Sequence, residues 1–141
     1  MQTRISAREV SLQEKLTISI VDDDESAREG LMDLVKSMGF VAESFQRADE
    51  FLASSQLHNT SCLIADVQMP DMTGLELHNR LVKSGNVVPT VLITAFPNAR
   101  DRAFALQSGV ACYLVKPFSD DDLLASIRSA CKEREENGGT S

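Results

Sequence analysis

Three aspartates, Asp22, Asp23 and Asp24, follow directly on a short β-branched run, Thr17 to Val21, and Asp66 closes a second apolar run, Ser61 to Ala65. Thr94 closes a third run, Pro89 to Thr94, and Lys116 follows a fourth, Ala111 to Val115. Carboxylates, a hydroxyl and an ammonium are the groups phosphoryl chemistry uses, because that transfer depends on positioning and charge neutralisation. Gathered in one crevice, the carboxylates would repel: two unit charges about 4 Å apart cost about 4 kcal/mol at an effective dielectric near 20. Without help, one of them would take a proton. A hard divalent cation removes the conflict, and magnesium suits it, since it binds oxygen and keeps waters that a phosphate can displace. A carboxylate left off the metal can serve as a nucleophile, as in enzymes that form an aspartyl phosphate.

Singly, these residues have plainer readings. An acidic run such as Asp22 to Glu25 is often the first turn of a helix, Thr94 could be one more strand threonine, and Lys116 a solvated lysine. Asp66 resists such a reading, because an apolar strand rarely ends in a carboxylate that faces other carboxylates without a ligand. The residues act together only if the elements bring their ends to one edge.

Those elements can be read from periodicity and punctuation. Ser26 and Glu29 have capping-box spacing before Leu31, Leu34, Val35 and Met38, which recur at helical intervals, and Gly39 ends that helix. Phe40 to Phe45 reads as a strand and Ala48 to Ser55 as a short helix. Thr73 and Glu76 again have capping-box spacing, opening a helix to about Ser84. Asn98 caps a helix that ends before Gly109, and Ser119 caps the last one, with Asp120 to Asp122 complementing its positive end. Five strands alternate strictly with five helices, which means parallel strands with helical crossovers. Right-handed crossovers give a doubly wound, three-layer α/β sandwich, and the common five-strand order is 2-1-3-4-5, as in flavodoxin-like folds. In that order the ends of the first, third, fourth and fifth strands share one edge, where such sheets bind ligands.

Composition narrows the rest. The 141 residues suit one domain. Lysine and arginine number 14 against 21 acids, a formal charge of −7, with no local basic patch, so nucleic-acid binding by this domain alone is not expected. Cys62, Cys112 and Cys131 lack metal or redox spacing, and Cys62 and Cys112 read as reduced core thiols. His58 and His78 have no neighbouring ligands and read as structural or exposed. No apolar stretch is long enough to span a bilayer, and no signal-peptide core opens the chain, so a cytoplasmic protein without membrane contact is expected. Residues 1–16 read as an N-terminal extension, 17–131 as the domain, and 132–141 as a polar tail that frays and resembles the start of a linker.

The segments VDDDES, ADVQMPDMTG, LITA and YLVKPF resemble the signature segments of response-regulator receiver domains, in particular those of FixJ-type regulators. The resemblance covers about residues 17 to 131. It implies that Asp66 is the phosphoacceptor, with a sensor histidine kinase or phosphotransfer protein as donor. Asp23, Asp66 and the backbone carbonyl of Gln68 would hold Mg2+, with Asp22 supporting it through water and Asp24 outside. Lys116 would contact the phosphoryl group across a cis Lys-Pro bond. Thr94 would bond a phosphoryl oxygen, and Tyr113 would be the aromatic switch that turns inward with it. Gln68 and Phe96 occupy variable positions that tune hydrolysis in the family, and a bulky Phe96 is expected to screen the acyl phosphate. The face of the fourth helix, fifth strand and fifth helix would then change what it binds. Ala99 to Leu106 offers a face for a phosphorylation-dependent homodimer, and the output partner is not named by the sequence.

Two other readings compete with a phosphorylated signalling receiver. One is an adaptor of receiver shape that is never phosphorylated. The other is a small Mg2+-dependent phosphatase working through an aspartyl phosphate, against which stands the lack of a cap domain. Whether the domain acts alone or as the front half of a transcriptional regulator is equally open at the level of sequence.

Overall fold

A computed structural model describes residues 16–139. Its strands are β1 (Thr17–Val21), β2 (Val41–Phe45), β3 (Cys62–Asp66), β4 (Thr90–Thr94) and β5 (Cys112–Val115). They form one parallel sheet in the order β2-β1-β3-β4-β5. The helices are α1 (Glu25–Ser37), α2 (Ala48–Leu52), α3 (Gly74–Lys83), α4 (Ala99–Gln107) and α5 (Asp120–Gly139), with a 3-10 turn at Ser55–Asn59 after α2.

Strand alternation sorts the core into two layers. Ile18, Ile20, Cys62, Ile64, Val91 and Ile93 face α1 and α5, meeting Leu31, Val35, Leu123 and Ile127. Val21, Leu63, Ala65 and Leu92 face the other way, meeting Phe51, Leu77, Leu81 and Ala105 from α2, α3 and α4. Each of the large side chains so buried stabilises the fold by about 1.5–3 kcal/mol relative to exposure. The expected doubly wound sandwich and strand order are therefore present.

Some local expectations change. α1 begins at Glu25, and its N-cap is Asp24, which accepts from the Ala27 N–H at 3.1 Å. Aspartate is among the strongest N-caps, so it outcompetes the Ser26 and Glu29 pattern. The strand expected over Phe40 to Phe45 starts at Val41, and the short helix ends at Leu52. α5 runs to Gly139, past Lys132 where the polar tail is expected to begin; lysine, glutamate and arginine are good helix formers. The capping box of Thr73 and Glu76, the Asn98 cap and the Ser119 cap are all formed. The extension expected over residues 1–16 lies, except for Leu16, outside the described residues.

His78 is buried, with Nδ1 3.3 Å from Thr90 Oγ1 and Nε2 3.0 Å from the Ser108 carbonyl oxygen, while His58 is exposed. Cys62 is fully buried and Cys112 half-buried. Among the described residues, no helix is long and apolar enough to cross a membrane.

Candidate functional site

The sheet register builds the site. Val21 pairs with Ala65, so Asp22 and Asp66 emerge in the same row at the carboxyl edge. Asp66 pairs with Ile93 and Thr94 with Val115, which steps Thr94 and then Lys116 further out. Asp22, Asp66 and Lys116 share the strand parity of the α1/α5 face, whereas Thr94 and Tyr113 share that of the opposite face.

Contacts follow that division. Lys116 Nζ lies 3.2 Å from Asp66 Oδ2 and 3.9 Å from Asp22 Oδ2. Asp66 Oδ1 accepts from the Gln68 N–H at 2.8 Å, and Asp22 Oδ1 accepts from the Asp24 N–H at 2.9 Å. Arg28 donates to the Asp22 carbonyl oxygen at 2.8 Å and ties α1 to the end of β1. The peptide between Lys116 and Pro117 is cis.

Asp22 is 2 % exposed, and burial is the first cause of a pKa above the usual carboxylate value. The Asp24 N–H and Lys116 oppose that shift, whereas the charges of Asp66 and Asp23 add to it. Asp23 itself is exposed. Among the described residues, no three Asp, Glu, His or Cys side chains close around one metal-sized point. Asp22 and Asp66 meet through Lys116 instead, with Asp23 beside them. The donor chemistry nevertheless fits a hard cation. Asp22 and Asp66 converge on one ammonium, Asp23 follows Asp22 in the chain, all donors are oxygen, and burial opposes ionising Asp22.

Thr94 is fully buried and lies on the far side of Asp66. Its hydroxyl donates to Gln68 Oε1 at 3.0 Å and accepts from the Phe96 N–H at 3.0 Å. Tyr113 lines a cavity of about 150 Å³ with Val67, Leu92, Asp101 and Ala105. Its hydroxyl is buried without a hydrogen-bond partner among the described residues, so the ring is already turned inward. Phe96, on the loop before α4, is 72 % exposed.

Two residues that sequence reasoning passed over shape the rim. Gly74 opens α3 so close to β3 that a Cβ there would lie 2.6 Å from the Asp66 carbonyl oxygen. Arg47, before α2, pairs with Asp49 at 3.0 Å and also with Asp71, tying the loop after β2 to the loop after Asp66. Both depend on segments distant in the chain, and nothing in their local sequence marks them.

The pattern of the response regulator receiver domain family matches residues 18–128. The chain belongs to that family. Response regulator protein TmoT of Ectopseudomonas mendocina is 36 % identical over 115 residues, covering 82 % of this chain and 52 % of TmoT. Transcriptional regulatory protein FixJ of Azorhizobium caulinodans is 30 % identical over 127 residues, covering 90 % of this chain and 60 % of FixJ. The solved structure of the response regulator StyR superimposes with a TM-score of 0.79 at 36 % identity, covering 89 % of this chain and 65 % of StyR. The chain is thus a FixJ-like receiver domain of two-component signalling. It spans about half the length of TmoT. Receiver domains in general take Mg2+ at such an acidic pocket and work with histidine kinases and output domains.

Proposed function

We propose that this receiver accepts a phosphoryl group on Asp66 from a partner histidine kinase or phosphotransfer protein, with Mg2+ bound, and thereby switches its α4-β5-α5 face. The observation that carries this reading is the convergence of Lys116 on Asp66 and Asp22 at the sheet edge. In the transfer, a carboxylate oxygen of Asp66 forms the new O–P bond as the P–N bond of a phosphohistidine breaks. The imidazole nitrogen leaves with the bonding pair and takes a proton from water.

Asp23, Asp66 and the Gln68 backbone carbonyl would hold the metal, with Asp22 behind them. When bound, Mg2+ neutralises charge on the transferring oxygens. Lys116 supplies a second positive charge from the protein, placed against Asp66 before any phosphate arrives. Thr94 offers a buried hydroxyl that can meet a phosphoryl oxygen. Tyr113, on the same strand parity as Thr94 and already turned inward, would be held there once Thr94 moves, and the modification adds about −1.5 to −2 charge as the bias. The result is a shift between two populations of the α4-β5-α5 face. Phe104 and Leu106 on α4 and Val115 on β5 are exposed there, available to a second copy or an output domain. We read residues 17–131 as this unit, acting in the cytoplasm, and transcriptional output as the role of a longer protein of which it is the receiver.

Intact mass after treatment with acetyl phosphate and Mg2+ tests the reading. The wild type is expected to gain one phosphoryl group and Asp66→Asn none. A wild type that gains nothing would overturn it and favour an adaptor.

A further inference from the structure

We propose that the Gln68 side chain is a latch that holds Thr94 in the unphosphorylated arrangement, and that opening the Gln68–Thr94 hydrogen bond is an obligatory step of switching. The inference rests on the receiver reading and deepens it.

A threonine hydroxyl has one proton to donate. Here it goes to Gln68 Oε1, at 3.0 Å, while the Phe96 N–H occupies the oxygen from the other side. Thr94 therefore cannot donate to an oxygen on Asp66 until Gln68 releases it. Gln68 is also bound to the phosphoacceptor, because its backbone N–H donates to Asp66 Oδ1. One continuous chain results: Phe96 N–H to Thr94, Thr94 O–H to Gln68, Gln68 N–H to Asp66. A residue 26 positions from Thr94 is thereby attached to both ends of the signal.

The latch yields for an electrostatic reason. The acceptor it offers is a neutral amide oxygen. A phosphoryl group offers charged oxygens, and charge-assisted hydrogen bonds are roughly twice as strong. Without phosphate the Gln68 bond holds; with phosphate it loses the competition. A neutral hydrogen bond of typical net worth biases such an equilibrium by roughly threefold to tenfold.

Two variants separate the acceptor from the side chain's bulk. Gln68→Leu removes the acceptor, and Gln68→Glu keeps one. Amide hydrogen exchange in metal-free protein reads the latch directly, because the Phe96 N–H loses its partner when Thr94 leaves. Phe96 is expected to exchange roughly threefold to tenfold faster in Gln68→Leu and no faster than wild type in Gln68→Glu, whose charged acceptor holds Thr94 at least as well, with Val91 in β4 unchanged in both. With acetyl phosphate and Mg2+, the ratio of phosphorylated to unphosphorylated Gln68→Leu is expected to rise by a similar factor. Unchanged Phe96 exchange, acceleration shared by Val91, or an unchanged phosphorylation ratio in Gln68→Leu would each overturn the latch while leaving the receiver reading intact. A wild type that takes up no phosphoryl group overturns both.

Discussion

Asp22 carries the sharpest electrostatic consequence of any single residue. Burial, and then the charges of Asp66 and Asp23, raise its pKa above the ordinary value despite the Asp24 N–H and Lys116. The folded protein thus keeps this proton at pH values where the unfolded chain has lost it. Its stabilising effect is complete below the unfolded pKa and is lost as pH rises through the folded one. Asp22→Asn keeps the shape and never ionises. It is expected to raise Tm at pH 7 in metal-free protein, with a gain that shrinks as pH falls toward the ordinary aspartate range; thermal unfolding across pH checks this. The placement of Asp22, Asp66, Thr94 and Lys116 at one edge of the sheet was legible from residue types at strand ends. The side-chain role of Gln68 was not, because its partner is set by the packing of β3 beside β4.

At the scale of elements, the approach of α3 to β3 is close. The Thr73 and Glu76 spacing announces where α3 starts, but not that its first residue lies against Asp66. A Cβ on Gly74 would meet the Asp66 carbonyl oxygen at 2.6 Å and Leu92 Cδ2 at 2.8 Å. Gly74→Ala is expected to cost about 1–3 kcal/mol in denaturant unfolding, the usual range for overpacking, and to slow phosphoryl uptake because the displaced backbone belongs to Asp66. α4 is the opposite case. It buries only Ala105, whereas α3 buries Leu77, His78 and Leu81. Its amides are expected to exchange faster than those of α3, which hydrogen-exchange mass spectrometry resolves. The acidic run after β1 divides between both of its readings: Asp24 caps α1, and Asp22 turns into the site. The end of α5 is hard to read from sequence because the polar run from Lys132 suits a frayed tail and a helix alike.

For the molecule as a whole, the strict alternation of apolar runs with capped helices made the sheet order readable, since few topologies satisfy parallel pairing with right-handed crossovers. The chain carries a formal charge of −7, and at the carboxyl edge of the sheet Asp22 and Asp66 share one lysine. A cation that binds only the folded state stabilises it by mass action. Mg2+ at ten times its Kd is expected to add about 1.4 kcal/mol. Thermal shift against sodium chloride of equal ionic strength checks this, and equal shifts would mean that only screening is at work. The gain should shrink in Asp22→Asn.

The position of Lys116 in the chain bears on how the protein is made. Asp22 and Asp66 belong to strands that leave the ribosome well before β5, which carries the lysine. A nascent chain that has assembled β1, β3 and β4 therefore holds two facing carboxylates with no protein cation between them. Domains fold as synthesis proceeds, and β5 arrives as the strand that both completes the sheet edge and neutralises it. The pairing of β1 with β3 before β5 docks is the step of biogenesis that salt, divalent ions and acid should each accelerate.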